Sequence, residues 1–237
     1  MGTRWVVGAG AAPEGRPGEV RLPASVAVVV AIALYATLPT RLLEGPRIVV
    51  PIVEAVLLVP LVLANPYRVT RGDRWLRVLS LALTGVLVVT NFLAFLLLLH
   101  ALVDGSDKEG GQLLLAGLQV WLTNVIAFAL LFWELDRGGP VVRSRSARKD
   151  LPPADWRFSQ DEDDDAVHEV AVGSSESSDW RARFVDYAYC SLTNSTAFSP
   201  TDTMPLSPRA KVLMSFESTQ ALLVSILAIA RGVSLLH

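Results

Sequence analysis

Two carboxylates stand inside apolar runs of this chain. Glu54 lies between Pro51 and Pro60, and Glu217 is followed by Ser218, Thr219 and Gln220 within a Leu/Val/Ile stretch. A charge near a bilayer centre costs about 2.5 to 3.5 kcal/mol on insertion scales, so such a group faces a partner, water or a moving ion. A third carboxylate, Asp202, follows a cluster of small hydroxyls that includes Thr193 and Thr196. Carboxylate and hydroxyl oxygens suit hard cations and protons, so Glu54, Asp202, Glu217, Thr193 and Thr196 are the candidate ion-pathway residues. Each also has a structural reading. Glu217 is close enough to the start of its helix to pair with Lys211, Glu54 could be held in a protein interior, and Asp202 could anchor a turn in the manner of an N-cap. Asn91, Gln119 and Asn124 read as interhelical hydrogen bonds, and His100 as an interfacial residue.

Other chemistry is poorly supplied. The lone cysteine, Cys190, can form no disulfide within the chain, and His100, His168 and His237 match no metal-ligand spacing. No Gly-x-Ser-x-Gly, His-Glu-x-x-His or paired-aspartate motif is present, so no catalytic residue, metal or cofactor is expected and an enzyme is the weakest reading. The net charge of -2 leaves no basic footprint for nucleic acid. The run from Asp161 to Asp165 lacks the glycine and spaced glutamate of a calcium loop and reads as a solvated acidic stretch.

These groups must be carried by membrane helices. Of 237 residues, 51% are hydrophobic and only 19% charged, below the roughly 25% charged of a typical soluble domain. The chain is uncharged over 22–40, 48–67 apart from Glu54, 78–103 and 110–133, and a fifth apolar run covers about 211–235. Each approaches the roughly 20 residues that cross the hydrocarbon. The expected fold is an all-α membrane protein of about five transmembrane helices, with a re-entrant half-helix before the last. Its parts are an N-terminal segment over 1–21, a four-helix region over 22–136, a mobile charged loop over 137–182, and a re-entrant segment with the last helix over 183–237. The loop has this expectation because Arg/Ser, Pro and acidic blocks bury too little apolar area to offset ordering entropy.

Orientation follows from the cations. Arg4, Arg16 and Arg21 precede the first run, Arg68, Arg71, Arg74 and Arg77 join the second and third, and Arg137 to Lys149 follow the fourth. The alternate loops hold only Arg41, Arg47 and Lys108. The positive-inside rule places the N-terminus in the cytoplasm of a multi-pass protein of the cell membrane. Membrane lipid, other copies of the chain as a homo-oligomer, and a cytosolic partner of the 137–180 loop are the expected partners.

The segment Phe184 to Phe198 is aromatic first and then rich in small hydroxyls, and it is too short and polar to span. Pro200, Pro205 and Pro208 break it before the last helix. A half-helix, a sharp turn and a full helix outline a re-entrant loop. Tyr189-x-Ser191-x-Thr193-x-x-Thr196, then Asp202-x-x-Pro205 and a long apolar helix, resembles the pore module of potassium channels over about 55 residues. That family reads Thr-x-x-Thr-x-Gly-Tyr-Gly-Asp, with backbone carbonyls replacing the ion's water shell. Here Phe198-Ser199-Pro200-Thr201 takes the Gly-Tyr-Gly place, and those residues cannot adopt the glycine backbone angles, so a normal potassium filter is excluded. Phe184-Val185-Asp186-Tyr187-x-Tyr189, Asn194 to Asp202, Pro205-Leu206 and the 155–160 stretch are similar to an uncharacterised group of bacterial integral membrane proteins with a degenerate pore loop. That resemblance implies architecture and a membrane address and assigns no reaction. Potassium-channel loops enter from the outer face, whereas the charge rule brings this one in from the inner face, which leaves an inverted unit or convergent half-helix chemistry.

Two functions are expected to compete. One is an ion channel-like or cation/proton transport protein without a potassium filter. The other is a non-conducting structural or regulatory membrane protein whose loop binds a partner.

Overall fold

The computed structural model describes residues 18–39, 48–70, 72–104, 110–162, 167–196 and 202–234. Arg4, Arg16, Arg41, Arg47, Arg71, Lys108, most of the acidic run and the Phe198 to Thr201 filter position lie outside the described residues. The architecture is all-α. Three helices are long and apolar enough to cross a membrane: α3 (Arg74–Asp104), α4 (Gly110–Leu135) and α9 (Pro208–Ser234). Two shorter apolar helices precede them, α1 (Leu22–Ala36) and α2 (Val49–Ala64). At 1.5 Å per residue they rise about 23 Å, short of the roughly 30 Å of hydrocarbon.

The central helix is α4, packed by α1, α3, α8 (Phe184–Ser195) and α9. Its spanning window is 67% buried, against 33% for α3 and 28% for α9, so α3 and α9 present outward apolar faces such as Leu93, Leu97, Ile226 and Ile229. The core beneath is Leu, Phe and Ala: Leu87, Ala127, Phe128 and Phe132 are almost wholly buried. Helix α9 begins at Pro208, three residues earlier than the apolar run suggests, because proline is favoured in a first helical turn, where its missing N–H costs no bond.

Two short antiparallel pairings fasten the ends. Strand β1 (Glu19–Val20) pairs with β2 (Arg68–Val69), and β3 (Trp156–Arg157) with β4 (Met204–Pro205). Between them lie the short helices α5 (Pro140–Arg145), α6 (His168–Ala171) and α7 (Ser175–Ser178). The chain leaves α4 through Gly138 and Gly139, at φ 79° and 91°. A Cβ on Gly139 would sit 2.4 Å from Arg77 Nη1 and 3.0 Å from the Glu134 carbonyl, so both the angle and the space call for glycine.

Several described residues of the 137–182 stretch, for which composition predicts a mobile loop, are packed into the bundle. Trp156 is fully buried with its ring centroid 4.7 Å from that of Phe132, and its Nε1 donates to Met214 Sδ at 3.2 Å. Phe158 stacks edge-on against Tyr187, and Arg143 is 1% exposed. Trp156, Phe158 and Arg143 tie the stretch to α4, α8 and α9 through contacts that its average composition does not show.

Candidate functional site

Helix α8 makes the site. Its twelve residues rise about 18 Å, too little to cross. Its start lies against the C-terminal end of α4, where Phe184 stacks at 90° on Trp133 and the Tyr187 hydroxyl donates to Asp136 at 2.5 Å. Its other end lies deeper, where Ser191 reaches the Val125 carbonyl at 2.8 Å. Asp202 lies 3.5 Å from the Tyr189 hydroxyl, and β4 pairs with β3 beside the α4 terminus, so the start of α8 and β4 lie at the same end of the bundle.

The inner face of α8 carries Ser191, Asn194 and Ser195, at the three- and four-residue spacings that align side chains on one helix face. All three donate to the fully buried Glu217 of α9: Asn194 Nδ2 at 2.6 Å, Ser195 Oγ at 3.1 Å, and Ser191 Oγ in a short bond. Asn194 Nδ2 also reaches the Met214 carbonyl at 2.9 Å, and Ser218 Oγ donates to Asn194 Oδ1 at 3.2 Å. Glu217 is thus the knot that holds the half-helix on α9, and Lys211 is exposed rather than paired with it.

Glu54 is elsewhere in the interior. It is fully buried on α2 and accepts from Thr90 of α3 at 3.4 Å. From the next residue of α3, Asn91 donates to Asn124 Oδ1 at 3.1 Å, and Asn124 donates to the Glu217 carbonyl at 3.4 Å. Among the described residues no hydrogen bond or ion pair joins the two glutamates. The void between Asn91, Asn124, Gln220 and Val224 has a volume of ≈ 0 Å³ for water, so this polar ladder is packing and not a wet path. The stripe Glu217, Ala221, Val224 and Ala228 is packing too, since Gly117 of α4 lies beneath Val224 and Ala228. Gln119 bonds Thr37 across α4 and α1, as an interhelical role requires.

Thr193, Thr196 and Asp202 lie on the other face. Thr193 is half-buried and donates to the Tyr189 and Cys190 carbonyls at 2.9 and 3.0 Å, while the exposed Thr196 donates to the Thr193 carbonyl at 2.9 Å. On α9 the exposed Ser215 and Thr219 likewise donate to carbonyls four residues back. With their protons committed to backbone, Thr193 and Thr196 offer acceptor oxygens at the negative end of the α8 dipole, while Asp202 meets Tyr189. The five candidates therefore divide into two interior glutamates and three outward residues, which share the surface with exposed Leu192, Val212 and Phe216.

Sequence reasoning missed the cap at the α4 terminus. Asp136, fully buried, accepts from the Asp155 N–H at 2.8 Å as well as from Tyr187. Arg143 donates to the carbonyls of Ala182, Trp133 and Asp136 at 2.9, 3.1 and 3.0 Å and pairs with Glu19 at 3.5 Å. Glu19 also accepts from Trp133 Nε1 at 3.0 Å and from the Phe184 N–H at 2.6 Å. Burial pushes its carboxyl above the ordinary range, against the pull of Arg143. Asp155 holds Arg209 and Ser207 at the start of α9. The available signal was the placement of Asp136 and Arg143 around Gly138-Gly139, read in the sequence only as topology. No family model, curated protein or solved structure matches this chain.

Proposed function

We propose that the chain is one subunit of a cation-conducting membrane protein that works without a potassium selectivity filter. The observation that carries the reading is the α8 tip. A half-helix ends beside α9 instead of at a bundle end, with its negative dipole end, Thr193, Thr196 and Asp202 turned outward. Half-helix C-termini inside membrane proteins hold cations in this way. An outward carboxylate is costly against lipid, so the outward side of the C-terminal end of α8, with Asp202, faces water between copies of the chain in a homo-oligomer. In this reading Glu217 positions α8, and Glu54 braces α2 against α3. A degenerate pore-loop unit without the glycine filter is the matching architecture.

The placement in the membrane belongs to the same proposal. Helices α1 and α2 cross with α3, α4 and α9, giving five crossings in the cell membrane, with slight bilayer thinning around the two short ones. The end that carries Arg68, Arg74, Arg77, Arg143, Arg145 and Arg148 is cytoplasmic. Cation flux from proteoliposomes under sodium, potassium and proton gradients tests the function. Flux above empty vesicles that D202N and T196V reduce supports the reading, and a well-folded protein with no flux removes it.

The second reading, a non-conducting regulatory protein, has one observation of its own. Val167, Val170 and Val172 are 59%, 62% and 53% exposed in the 137–180 stretch, an apolar edge for a cytosolic partner. A wild-type protein that carries no flux, together with a well-folded variant with all three changed to Ser that alters a growth phenotype, would favour it.

A further inference from the structure

A cavity of ≈ 590 Å³ opens between β1, the turn before α8 and the start of β2. Its wall is Val20, Pro23, Trp180 and Val185, with Arg68 and Arg183 at its polar side. The two acids that also line it are engaged. Glu19 is held by Arg143, Trp133 and the Phe184 N–H, and Asp179 lies 3.4 Å from Arg181. Arg68 reaches across the mouth to donate Nη1 to the Gly18 carbonyl at 2.8 Å. Asp186 stands beside Arg183, and with Glu19 held by Arg143 the opening keeps a net positive sign from Arg68, Arg181 and Arg183 against Asp179 and Asp186.

The apolar wall continues out of the cavity. Leu22, Val26 and Val185 are 67%, 50% and 62% exposed where α1 and α8 begin. A ligand that fits both parts has an anionic head and a hydrocarbon tail. We propose that this groove binds an anionic phospholipid, with its phosphate between Arg68 and Arg183 and an acyl chain along the α1 and α8 starts. The site is independent of the conduction pathway. It ties a lipid to the two elements, β1 and the first turn of α8, that Glu19 already joins. Arginine suits the task because its planar fork pairs two donors with phosphate oxygens.

The test is native mass spectrometry of the full chain in detergent, titrated with phosphatidylglycerol, with phosphatidylcholine, and with inorganic phosphate as competitor. Phosphatidylglycerol binds in preference to phosphatidylcholine. R68Q/R183Q weakens phosphatidylglycerol roughly 30-fold, from about 1 kcal/mol per cation near a lipid surface and 1.4 kcal/mol per tenfold. Phosphatidylcholine binding is unchanged. R68K/R183K keeps the charges and restores most of the affinity, which separates lost binding from lost folding. R74Q, an exposed cation outside the groove, stays within about twofold. Wild-type affinity in R68Q/R183Q, or an equal loss in R74Q, overturns the site. Full displacement by inorganic phosphate at millimolar concentration also overturns it, since free phosphate is then the ligand.

Discussion

The Arg143 guanidinium carbon lies 4.7 Å above the centre of the Tyr187 ring, so one side chain ties α5, just past the end of α4, to α8. Three carbonyls and the Glu19 carboxylate meet that same guanidinium. Replacing it with alanine takes a donor from each, although the Gly139 N–H still serves the Asp136 carbonyl and Trp133 and Phe184 still serve Glu19. The cost is about 3 to 5 kcal/mol for breaking a buried pair. R143K keeps the charge without the fork and falls between the two. Thermal unfolding in detergent reads the difference. A melting point unchanged in R143A would sink the assignment.

Glu217 and the α8 face form a second coupled unit. E217L removes the acceptor that Ser191, Asn194 and Ser195 share. Ser191 keeps the Val125 carbonyl and Asn194 the Met214 carbonyl, so Ser195 is the donor left stranded, at a cost on the order of 1 to 3 kcal/mol. S191A alone is expected to cost about 1 kcal/mol. The double variant S191A/E217L should be less unstable than the sum of its parts, because the partner is already gone. Additive melting shifts in that cycle would mean that the two side chains act independently.

The pH dependence of stability has a sign fixed by Glu19. Its folded-state carboxyl is raised above the ordinary value of 4.5, with burial as the main cause. The folded state therefore binds the proton more tightly than the unfolded chain does. Glu19 weakens stability as pH rises from about 4.5 through its raised folded value, and contributes no pH dependence below that window. Unfolding of wild type and E19Q from pH 4 to pH 8 gives the check. The stability difference, wild type minus E19Q, should fall with pH, and a difference that rises instead would reverse the assignment.

Water at the α8 and α9 outer surfaces can be read with thiol reagents. The native Cys190 is fully buried, and burial of its surroundings keeps the background low. T196C and T219C should label rapidly with a charged methanethiosulfonate reagent in vesicles. V224C, at a position 6% exposed, should label at least about tenfold more slowly. Equal, slow labelling at all three positions would place lipid at that surface and remove the wet lumen.

Docking of the 137–162 stretch rests on Trp156. W156A removes a fully buried indole packed on Phe132 and Met214, with an expected cost of about 3 to 5 kcal/mol. Limited proteolysis near Arg157 should accelerate together with the loss of stability. Cleavage at the wild-type rate would show that the stretch is held by something else.

Much of the all-α fold was legible because apolar run length is a one-dimensional property. The uncharged stretches over 78–103 and 110–133 give α3 and α4 directly, and the prolines around 200–208 mark the break before α9. The segment from Phe184, too short and polar to span, also announced a short helix, which is α8. Which of its hydroxyls matter could not be read from residue type, since Ser191 and Thr193 differ by one methyl group. The difference is rotational: two residues along a helix turn a side chain by about 200°, so Ser191 meets Glu217 while Thr193 faces outward. The order of the 137–162 stretch was hidden for a related reason. Average composition describes solvation, whereas Trp156, Asp136 and Arg143 act through partners such as Met214, Tyr187 and Glu19 that only the packed chain brings together. The sequence by itself determined that buried carboxylates had to be accommodated among apolar helices. The tertiary structure decided which of them became anchors and which oxygen atoms were left facing out, because that choice depends on helix rotation and contact.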